Sequence, residues 1–249
     1  MKTFAILSVV LLSVSVQAQS TPGAQSGKAS IRIYADQAHG QAPLAGPYTV
    51  IAAKLGAEIV PSQGPITAQT LEGYRLLVLR VPQQEFTQGE RDAIAGFVRR
   101  GGSLLLAFDE ERRASLATTR VNDLIAPFGL KLTDDTEYLH NNGAIAKRGV
   151  INAADRELPF SGGRAVEGGT PFAWQLDKAG QPGQVFAAFA TVGQAGKVIV
   201  LGDAMVTLFL GTAEGVRLTG VPRDPTRTTY WGKDSGVFME ELLAWLMKS

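Results

Sequence analysis

RLLVLRVPQQEFTQGERDAIAGFVRRGGSLLLAFD, residues 75–109, contains two apolar runs on either side of one amphipathic segment. The runs at residues 75–81 and 103–109 are almost continuously apolar, which is typical of strands buried on both faces of a sheet. The residues between them, 87–102, have the apolar spacing of a helix. Strand, helix and strand in this order predict a βαβ unit, and such a unit requires two parallel strands in one sheet.

Both ends of the predicted helix carry local signals. Thr87 and Glu90 form a T-x-x-E capping box, which satisfies backbone donors at the start of a helix. Arg99 and Arg100 stand in the last turn, where positive charge complements the helix dipole, and Gly101 allows a left-handed stop. An anion site at the arginine pair is the less favoured alternative. The apolar stripe that would pack on the sheet consists of Ala93, Ile94, Phe97 and Val98.

The same patterns predict further elements on either side of this unit. IRIYAD at residues 31–36 and AEIVPS at residues 57–62 predict strands, with a helix between them whose inner face is Tyr48, Ile51, Ala52 and Leu55. Residues 66–74 predict a short helical connector, and residues 120–128 predict a helix stopped by Gly129. Strands and helices that alternate in this way predict a doubly wound α/β fold.

The second half of the chain has a different pattern. Residues 131–184 show little helical periodicity and contain short strand-like runs at residues 143–151, 163–167 and 172–176. QVFAAFATVG and AGKVIVLGD, together residues 184–203, predict a β-hairpin, so this part of the sheet is expected to be mixed or antiparallel. Asp234 is predicted to cap a final helix. We predict one α/β domain over residues 30–249, with a β-rich insertion around residues 131–184.

The N-terminus and the composition limit the location and the partners. Residues 1–18 have the basic start, apolar run and small-residue site of a secretory signal peptide, and residues 19–29 predict a disordered leader. An uncleaved anchor is the alternative. The formal net charge is only +1, which argues against nucleic acid as a partner. The chain has no Cys, which excludes thiolate catalysis. These features predict a protein exported to the periplasm or the extracellular space, with no membrane span after cleavage.

Polar side chains follow several predicted strands at the points where the strands end. Because the carboxyl ends of parallel strands meet at one edge of a sheet, these side chains predict a ligand-binding rim. The alternative is that each of them only solvates the edge or caps the next helix. The candidate ligand-binding residues are Asp36, His39, Gln83, Gln84, Asp109, Glu110 and Asp203.

The hypotheses of a catalytic site and of a metal site at this rim depend on fewer residues. Asp36 and His39 form a D-x-x-H pair, and His140 is the second His of the chain, but no H-x-H or H-E-x-x-H spacing is present. We therefore predict no metal and no cofactor. No G-x-S-x-G elbow is present either. Catalytic candidates are limited to a carboxylate pair or a carboxylate–His pair formed from Asp109, Asp36 and His39, with Asp203 as a further partner.

The chain resembles the class I glutamine amidotransferase-like superfamily. The resemblance lies in residues 87–109, in GKVIVLGD at residues 196–203 and in the closing helix that ends LLAWL, with Asp36 and His39 in the first loop. More narrowly, the chain resembles exported bacterial members and the GIFT-type domains of gliding and intraflagellar-transport proteins. The resemblance implies a flavodoxin-like three-layer sandwich. It implies no glutaminase activity, because Phe108 and Asp109 stand at the elbow that carries the nucleophilic Cys in amidotransferases.

These observations lead to three functional hypotheses. The first is an exported, non-catalytic domain that binds a small ligand, such as a sugar or peptide, or a protein partner at the rim. The alternative is a carboxylate- or metal-dependent hydrolase acting on a carbohydrate or cell-envelope substrate. A third hypothesis, a structural subunit of an envelope complex, predicts an exposed apolar patch around Phe209, Leu210 and Trp231.

Overall fold

The structure is a computed structural model that describes residues 30–41, 43–44, 46–136, 143–160, 162–208 and 233–248. The predicted signal peptide and leader, His140, and the predicted patch at Phe209, Leu210 and Trp231 lie outside these residues. No helix within the described ranges has the length and apolar character needed to cross a bilayer.

The chain forms eleven strands and five α-helices within the described residues. The strands are β1 Ile31–Asp36, β2 Ala57–Ser62, β3 Leu76–Arg80, β4 Ser103–Ala107, β5 Leu130–Asp135, β6 Ala144–Ala146, β7 Arg156–Leu158, β8 Arg164–Gly168, β9 Thr170–Leu176, β10 Pro182–Val192 and β11 Gly196–Leu201. The helices are α1 Pro47–Lys54, α2 Gln88–Arg99, α3 Leu116–Thr119, α4 Val121–Ile125 and α5 Ser235–Met247. Short 3-10 turns cover Ala126–Phe128 and Ala204–Leu208.

Nine strands form one mixed sheet in the order β2-β1-β3-β4-β11-β10-β9-β6-β7, and β5 pairs with β8 separately. The pairings from β2 to β11 are parallel, and those from β11 to β7 are antiparallel. The fold is therefore mixed α/β. The predicted mixed or antiparallel character of the β-rich C-terminal half is confirmed. The predicted flavodoxin-like three-layer sandwich with a mostly parallel sheet is not confirmed, because half of the pairings in the large sheet are antiparallel. The hairpin of β10 and β11 reverses the chain direction, and the β-rich half then extends the same sheet.

The predicted βαβ unit is confirmed, with each strand two residues shorter than its apolar run. Strands β3 and β4 are parallel neighbours, and α2 connects them. The Thr87 hydroxyl accepts the Glu90 N–H, and the Glu90 carboxylate accepts the Thr87 N–H at 2.9 Å, so the capping box is complete. Side chains alternate between two apolar clusters, one on each face of the sheet: Leu76 and Val78 join α1 and α5, whereas Leu77 and Leu79 join α2 and α4.

Two predicted helices differ from the structure. Residues 66–74 form turns rather than a helical connector, since Thr67 and Thr70 exchange side-chain-to-backbone hydrogen bonds of 2.8 and 3.0 Å that compete with a helix. The predicted helix at residues 120–128 is interrupted, because Arg120 adopts a left-handed φ of 50° between α3 and α4.

Asp234 precedes α5 as predicted, but its side chain does not cap that helix. Its carboxylate accepts the Glu157 N–H at 2.9 Å, and its own N–H donates to the Glu157 carbonyl at 3.2 Å. Both polar backbone groups of Glu157 are thereby bound at β7, the last strand of the sheet. Asp234 thus closes a sheet edge.

Side chains from the amino ends of three strands cap the carboxyl end of α5. Ser103 donates to the Leu246 carbonyl at 2.6 Å, Lys197 to the Trp245 carbonyl at 2.8 Å, and Arg75 to the Lys248 carbonyl at 2.7 Å. The last carbonyls of a helix have no partners within the helix, so these donors satisfy groups that would otherwise be unpaired. They fix α5 against the sheet.

We expect Arg75→Met to lower the free energy of unfolding by about 1–2 kcal/mol, since Arg75 also donates to the Met247 and Gly101 carbonyls. Urea denaturation would measure the change. Arg99→Met, at an exposed position in the last turn of α2, is the matched control and should change stability little. Equal stability of the two variants would show that Arg75 does not secure α5.

Candidate functional site

The predicted rim residues lie at the carboxyl ends of β1, β3, β4 and β11, but in two clusters. Asp36, His39 and the backbone of Gln83 form one cluster, between β1 and β3. Asp109, Glu110 and Asp203 belong to the other, near β4 and β11. The clusters are separate because β3 lies between β1 and β4 in the sheet. Asp36, His39, Asp109 and Asp203 are buried, whereas Gln83 and Gln84 are exposed.

The first cluster is centred on His39, whose exposed fraction is 5%. Its Nδ1 lies 2.8 Å from Oδ2 of Asp36, and its Nε2 lies 3.4 Å from Oε1 of Glu90. The imidazole ring stacks on Phe86, with 4.0 Å between the ring centroids. His39 therefore bridges two carboxylates, one from β1 and one from α2.

The loop at residues 37–41 fills the crevice between β1 and β3. The Asp36 carboxylate accepts the Ala38 N–H at 3.1 Å and the Gln41 side-chain NH2, and the side-chain oxygen Oε1 of Gln41 accepts the Arg80 N–H. The His39 carbonyl accepts the Gln83 N–H at 2.7 Å. The chain runs from β1 to β2 on one side of β1 and then crosses to β3 on the other side. The crevice between β1 and β3 is therefore the switch point where doubly wound sheets bind ligands. Here the chain's own loop occupies it.

Two backbone features allow this loop to pack so closely. A Cβ at Gly40, whose φ is 74°, would lie 2.9 Å from the Cβ of Gln83, so only glycine fits. Val81, directly after β3, has a φ of 52°, which is rare for a β-branched residue. Strain of this kind persists only where the surroundings impose it. The turn at Val81 directs the chain toward the loop.

Glu90 is a site residue that sequence reasoning identified only as a helix cap. One of its oxygens, Oε2, accepts the Thr87 N–H and hydroxyl at 2.9 and 2.8 Å. The other, Oε1, accepts the Ile66 N–H at 3.1 Å and faces His39. The capping box was visible in the sequence, but no local signal pairs Glu90 with a His 51 positions earlier.

The ionisation of this cluster follows from its contacts. Burial lowers the pKa of His39, but the hydrogen bond and charge of Asp36, together with Glu90, outweigh it and raise the pKa above its ordinary value. Burial raises the pKa of Glu90, but the Thr87 and Ile66 hydrogen bonds and the charge of His39 bring it below its ordinary value. A cationic His39 between two anionic carboxylates is the arrangement that both shifts favour.

The second cluster is organised by Arg164, at the start of β8, which sequence reasoning missed. Its side chain is 1% exposed. It donates to the Asp109 carbonyl at 2.9 Å, to the Thr133 carbonyl at 3.0 Å and to the Glu111 carboxylate at 2.5 Å. The guanidinium group also reaches the Ala114 carbonyl at 3.4 Å. One buried side chain thus joins the loop after β4 to β5 and β8.

The segment that carries Arg164 fills the crevice between the carboxyl ends of β4 and β11. The Arg164 N–H donates to the Gly202 carbonyl at 2.9 Å. A Cβ at Gly163 would lie 2.6 Å from that carbonyl oxygen and 3.0 Å from the Cβ of Asp203. Asp203 itself accepts the Met205 N–H at 2.7 Å. The close contacts leave no room for a ligand at this position.

Asp109 lies beneath this segment. Burial raises the pKa of Asp109 above its ordinary value, although the Glu110 N–H and the nearby Arg113 guanidinium oppose the shift. Its carboxylate accepts the Glu110 N–H at 2.8 Å and lies 3.6 Å from Arg113. Asp109 and Asp36 are in different clusters, so the structure does not assemble them as the predicted carboxylate pair.

The rim groups bind one another instead of converging on an open space. The loop at residues 37–41 fills one crevice and residues 162–164 fill the other. Among the residues that the structure describes, no three His, Asp or Glu side chains are grouped so that they could hold a metal ion. The arrangement is suited to fixing the loops of the rim in one conformation.

Comparisons with known proteins agree on one family. The IFT52 GIFT domain model matches residues 51–180. The intraflagellar transport protein 52 homologs of Mus musculus and Homo sapiens are 27% and 26% identical to this chain over 110 residues, which is 41% of the chain. The matches cover 25% and 24% of those two proteins, so the chain spans about a quarter of the length of these curated relatives.

Two solved structures have a similar fold. The mmIFT52 N-terminal domain has a TM-score of 0.62 at 16% identity, covering 87% of this chain and 98% of that domain. The cytoplasmic protein STM1381 from Salmonella typhimurium LT2 has a TM-score of 0.55 at 13% identity, covering 87% of this chain and 99% of that protein. At these identities, the likeness concerns the fold alone.

These matches correct several predictions. The assignment to the class I glutamine amidotransferase-like superfamily, through its exported members, is wrong, because the matching family model is the IFT52 GIFT domain. The prediction of an exported ligand-binding domain or hydrolase is also wrong, because the matched relatives are intraflagellar transport proteins. The predicted secreted, periplasmic or extracellular location is wrong for the same reason. Small-molecule and envelope partners are not supported.

Proposed function

Because the chain belongs to the IFT52 GIFT domain family, we propose that it is a protein-assembly domain of the intraflagellar-transport type. In this proposal the mixed sheet is a rigid scaffold, and other proteins of a transport assembly bind to its surface. The transport role is taken from the names of the curated relatives. The filled crevices of the rim support an assembly function rather than a catalytic one.

The observation that carries this proposal is that the chain itself fills both crevices of the rim. In an open α/β sheet, a ligand or substrate enters at such crevices. Here residues 37–41 and 162–164 occupy them through backbone hydrogen bonds and glycine contacts. Because the chain's own loops fill these crevices, binding takes place at the outer surface, where other proteins make contact.

The predicted site residues have two different roles in this proposal. The buried members, Asp36, His39, Asp109 and Asp203, hold the rim loops in place. The exposed Gln83 and Gln84, with the partly exposed Glu110, contact the partner. The domain comprises residues 30–249, and residues 131–184 form a β-rich insertion within it. The family match continues to residue 180 and so includes most of this segment.

The test uses the full chain with a photo-crosslinking amino acid at Gln84, expressed in the cells from which the chain comes. We expect crosslinks to other intraflagellar transport proteins, identified by mass spectrometry, in a complex of defined mass. The same amino acid at the exposed Lys178, in the turn before β10, is the matched control and should give no such crosslink. A chain that purifies as an isolated monomer, with no crosslink from either position, would overturn the proposal.

A further inference from the structure

His39 connects the end of β1 to the start of α2, two elements that are far apart in the sequence. Its ring lies between Asp36, at the end of β1, and Glu90, in the first turn of α2. Oε1 of Glu90 also accepts the Ile66 N–H, so the same carboxylate holds the start of the turn segment at residues 66–74. One histidine therefore lies between two carboxylates at the junction of the rim loop, α2 and this turn.

We propose that His39 is a pH-sensitive latch that, when protonated, holds the rim loop at residues 37–41 against the start of α2 and, when neutral, releases the α2 side. This inference goes beyond the assembly function and does not depend on it. It concerns a groove between the turn and α2, which Ile66, Thr67, Thr87 and Ala93 line. Glu90 lies at the same groove, and its hydrogen bond to the Ile66 N–H connects the two sides of the groove.

The two contacts of the ring respond differently to deprotonation. The Nδ1 contact with Asp36 is 2.8 Å, and a neutral His that keeps its proton on Nδ1 still donates there. The Nε2 atom then carries a lone pair that faces the Oε1 atom of Glu90 at 3.4 Å. An attractive contact between a cation and an anion becomes a repulsive contact between two acceptors. The latch therefore opens at Glu90 and stays closed at Asp36.

The charged groups around the His39 ring determine the pH at which the latch opens. Among the described elements that pack against His39, the charged groups that face it are Asp36 of β1 and Glu90 of α2; Phe86 contributes an uncharged stacking contact. Although burial alone lowers the pKa of His39, these two carboxylates raise it above 6.5. A raised folded-state pKa means that the stabilisation is complete below pH 6.5 and is lost as the pH rises through the folded-state pKa.

Amide hydrogen exchange of the full chain tests the latch. Protection factors, corrected for the intrinsic pH dependence of exchange, are measured by NMR at pH values below and above the titration of His39. We expect the protection of the Ile66 amide to fall at high pH, by about tenfold for each unit by which Glu90 alone raises the pKa of His39. The Gln83 amide, bound to the His39 carbonyl, should keep its protection and is the internal control.

Variants separate the latch from general effects of pH. His39→Gln should remove the pH dependence at Ile66, and His140→Gln, at the other His of the chain, should retain it. If His39→Gln does not fold, the wild-type protein still decides: the pH at which Ile66 loses protection must coincide with the titration of the His39 ring. Protection at Ile66 that is constant with pH, or that changes at a different pH, overturns the proposal.

Discussion

Replacing Arg164 by Met is expected to lower the free energy of unfolding by about 3–5 kcal/mol, because several buried acceptors lose their donor at once. The guanidinium group binds the carbonyls of Asp109, Thr133 and Ala114. Methionine fills a similar volume but donates nothing, so these carbonyls would be left unpaired away from water. Arg164→Lys should recover only part of the loss, since one ammonium group cannot reach all of the acceptors that surround the guanidinium plane.

Urea denaturation at constant pH would measure this effect. Arg112→Met is the matched control, because Arg112 is in the neighbouring loop and its side chain is 69% exposed. Its ion pair with Glu110 is at the surface, and its removal should be within the error of the measurement. If Arg164→Met and Arg112→Met were equally stable, the carbonyls around Arg164 would have other donors, and the rim between β4 and β11 would not depend on it.

The parts of the fold that the sequence predicted well are those with local causes. The capping box at Thr87 and Glu90, the strands β3 and β4, and the β10–β11 hairpin each follow from neighbouring residues. The hairpin also predicted that this part of the sheet is mixed or antiparallel, but the extension of the sheet by β9, β6 and β7 was not predicted, because it depends on pairings across long stretches of chain. Residues 66–74 were predicted as a helix but form turns, because the hydrogen bonds from the Thr67 and Thr70 side chains to the backbone outweigh a weak helical pattern.

The candidate site also contains some contacts that are local in the sequence and others between distant residues. Asp36 and His39 are three positions apart, and the sequence predicted them in one loop, where the structure has them in contact at 2.8 Å. Glu90 and Arg164 were missed as rim residues because their partners are 51 and 55 positions away, at His39 and Asp109. Contacts between residues so far apart in the chain cannot be predicted from sequence spacing. A buried Arg in a short strand looks like any surface Arg until its neighbours are known.

The family assignment was wrong for a related reason. The runs RRGGSLLL and GKVIVLGD describe a helix stop followed by a buried strand and the end of a hairpin. Any α/β sheet with parallel strands requires such runs, so they do not separate the amidotransferase-like superfamily from the IFT52 GIFT domain. The packing of the segments that fill the rim depends instead on single glycines, at positions 40, 163 and 202.

Gly202→Ala should lower the free energy of unfolding by about 2–3 kcal/mol, because a Cβ at this position would lie 2.0 Å from the Arg164 carbonyl oxygen. The neighbouring atom is backbone, so the overlap cannot be relieved by a side-chain rotation. The segment at residues 162–164 must move away from β11, which breaks the bond between the Arg164 N–H and the Gly202 carbonyl. Gly64→Ala is the matched control, since nothing lies within 4 Å of its added Cβ.

Combining Gly202→Ala with Arg164→Met tests whether the segment acts as one unit. If both substitutions release the same residues from the rim, the loss in the double variant should be smaller than the sum of the single losses, with a coupling of about 1–2 kcal/mol. Losses that simply add would show that the glycine contact and the guanidinium network stabilise the rim independently. Coupling would mean that the crevice between β4 and β11 opens only when the whole segment leaves it.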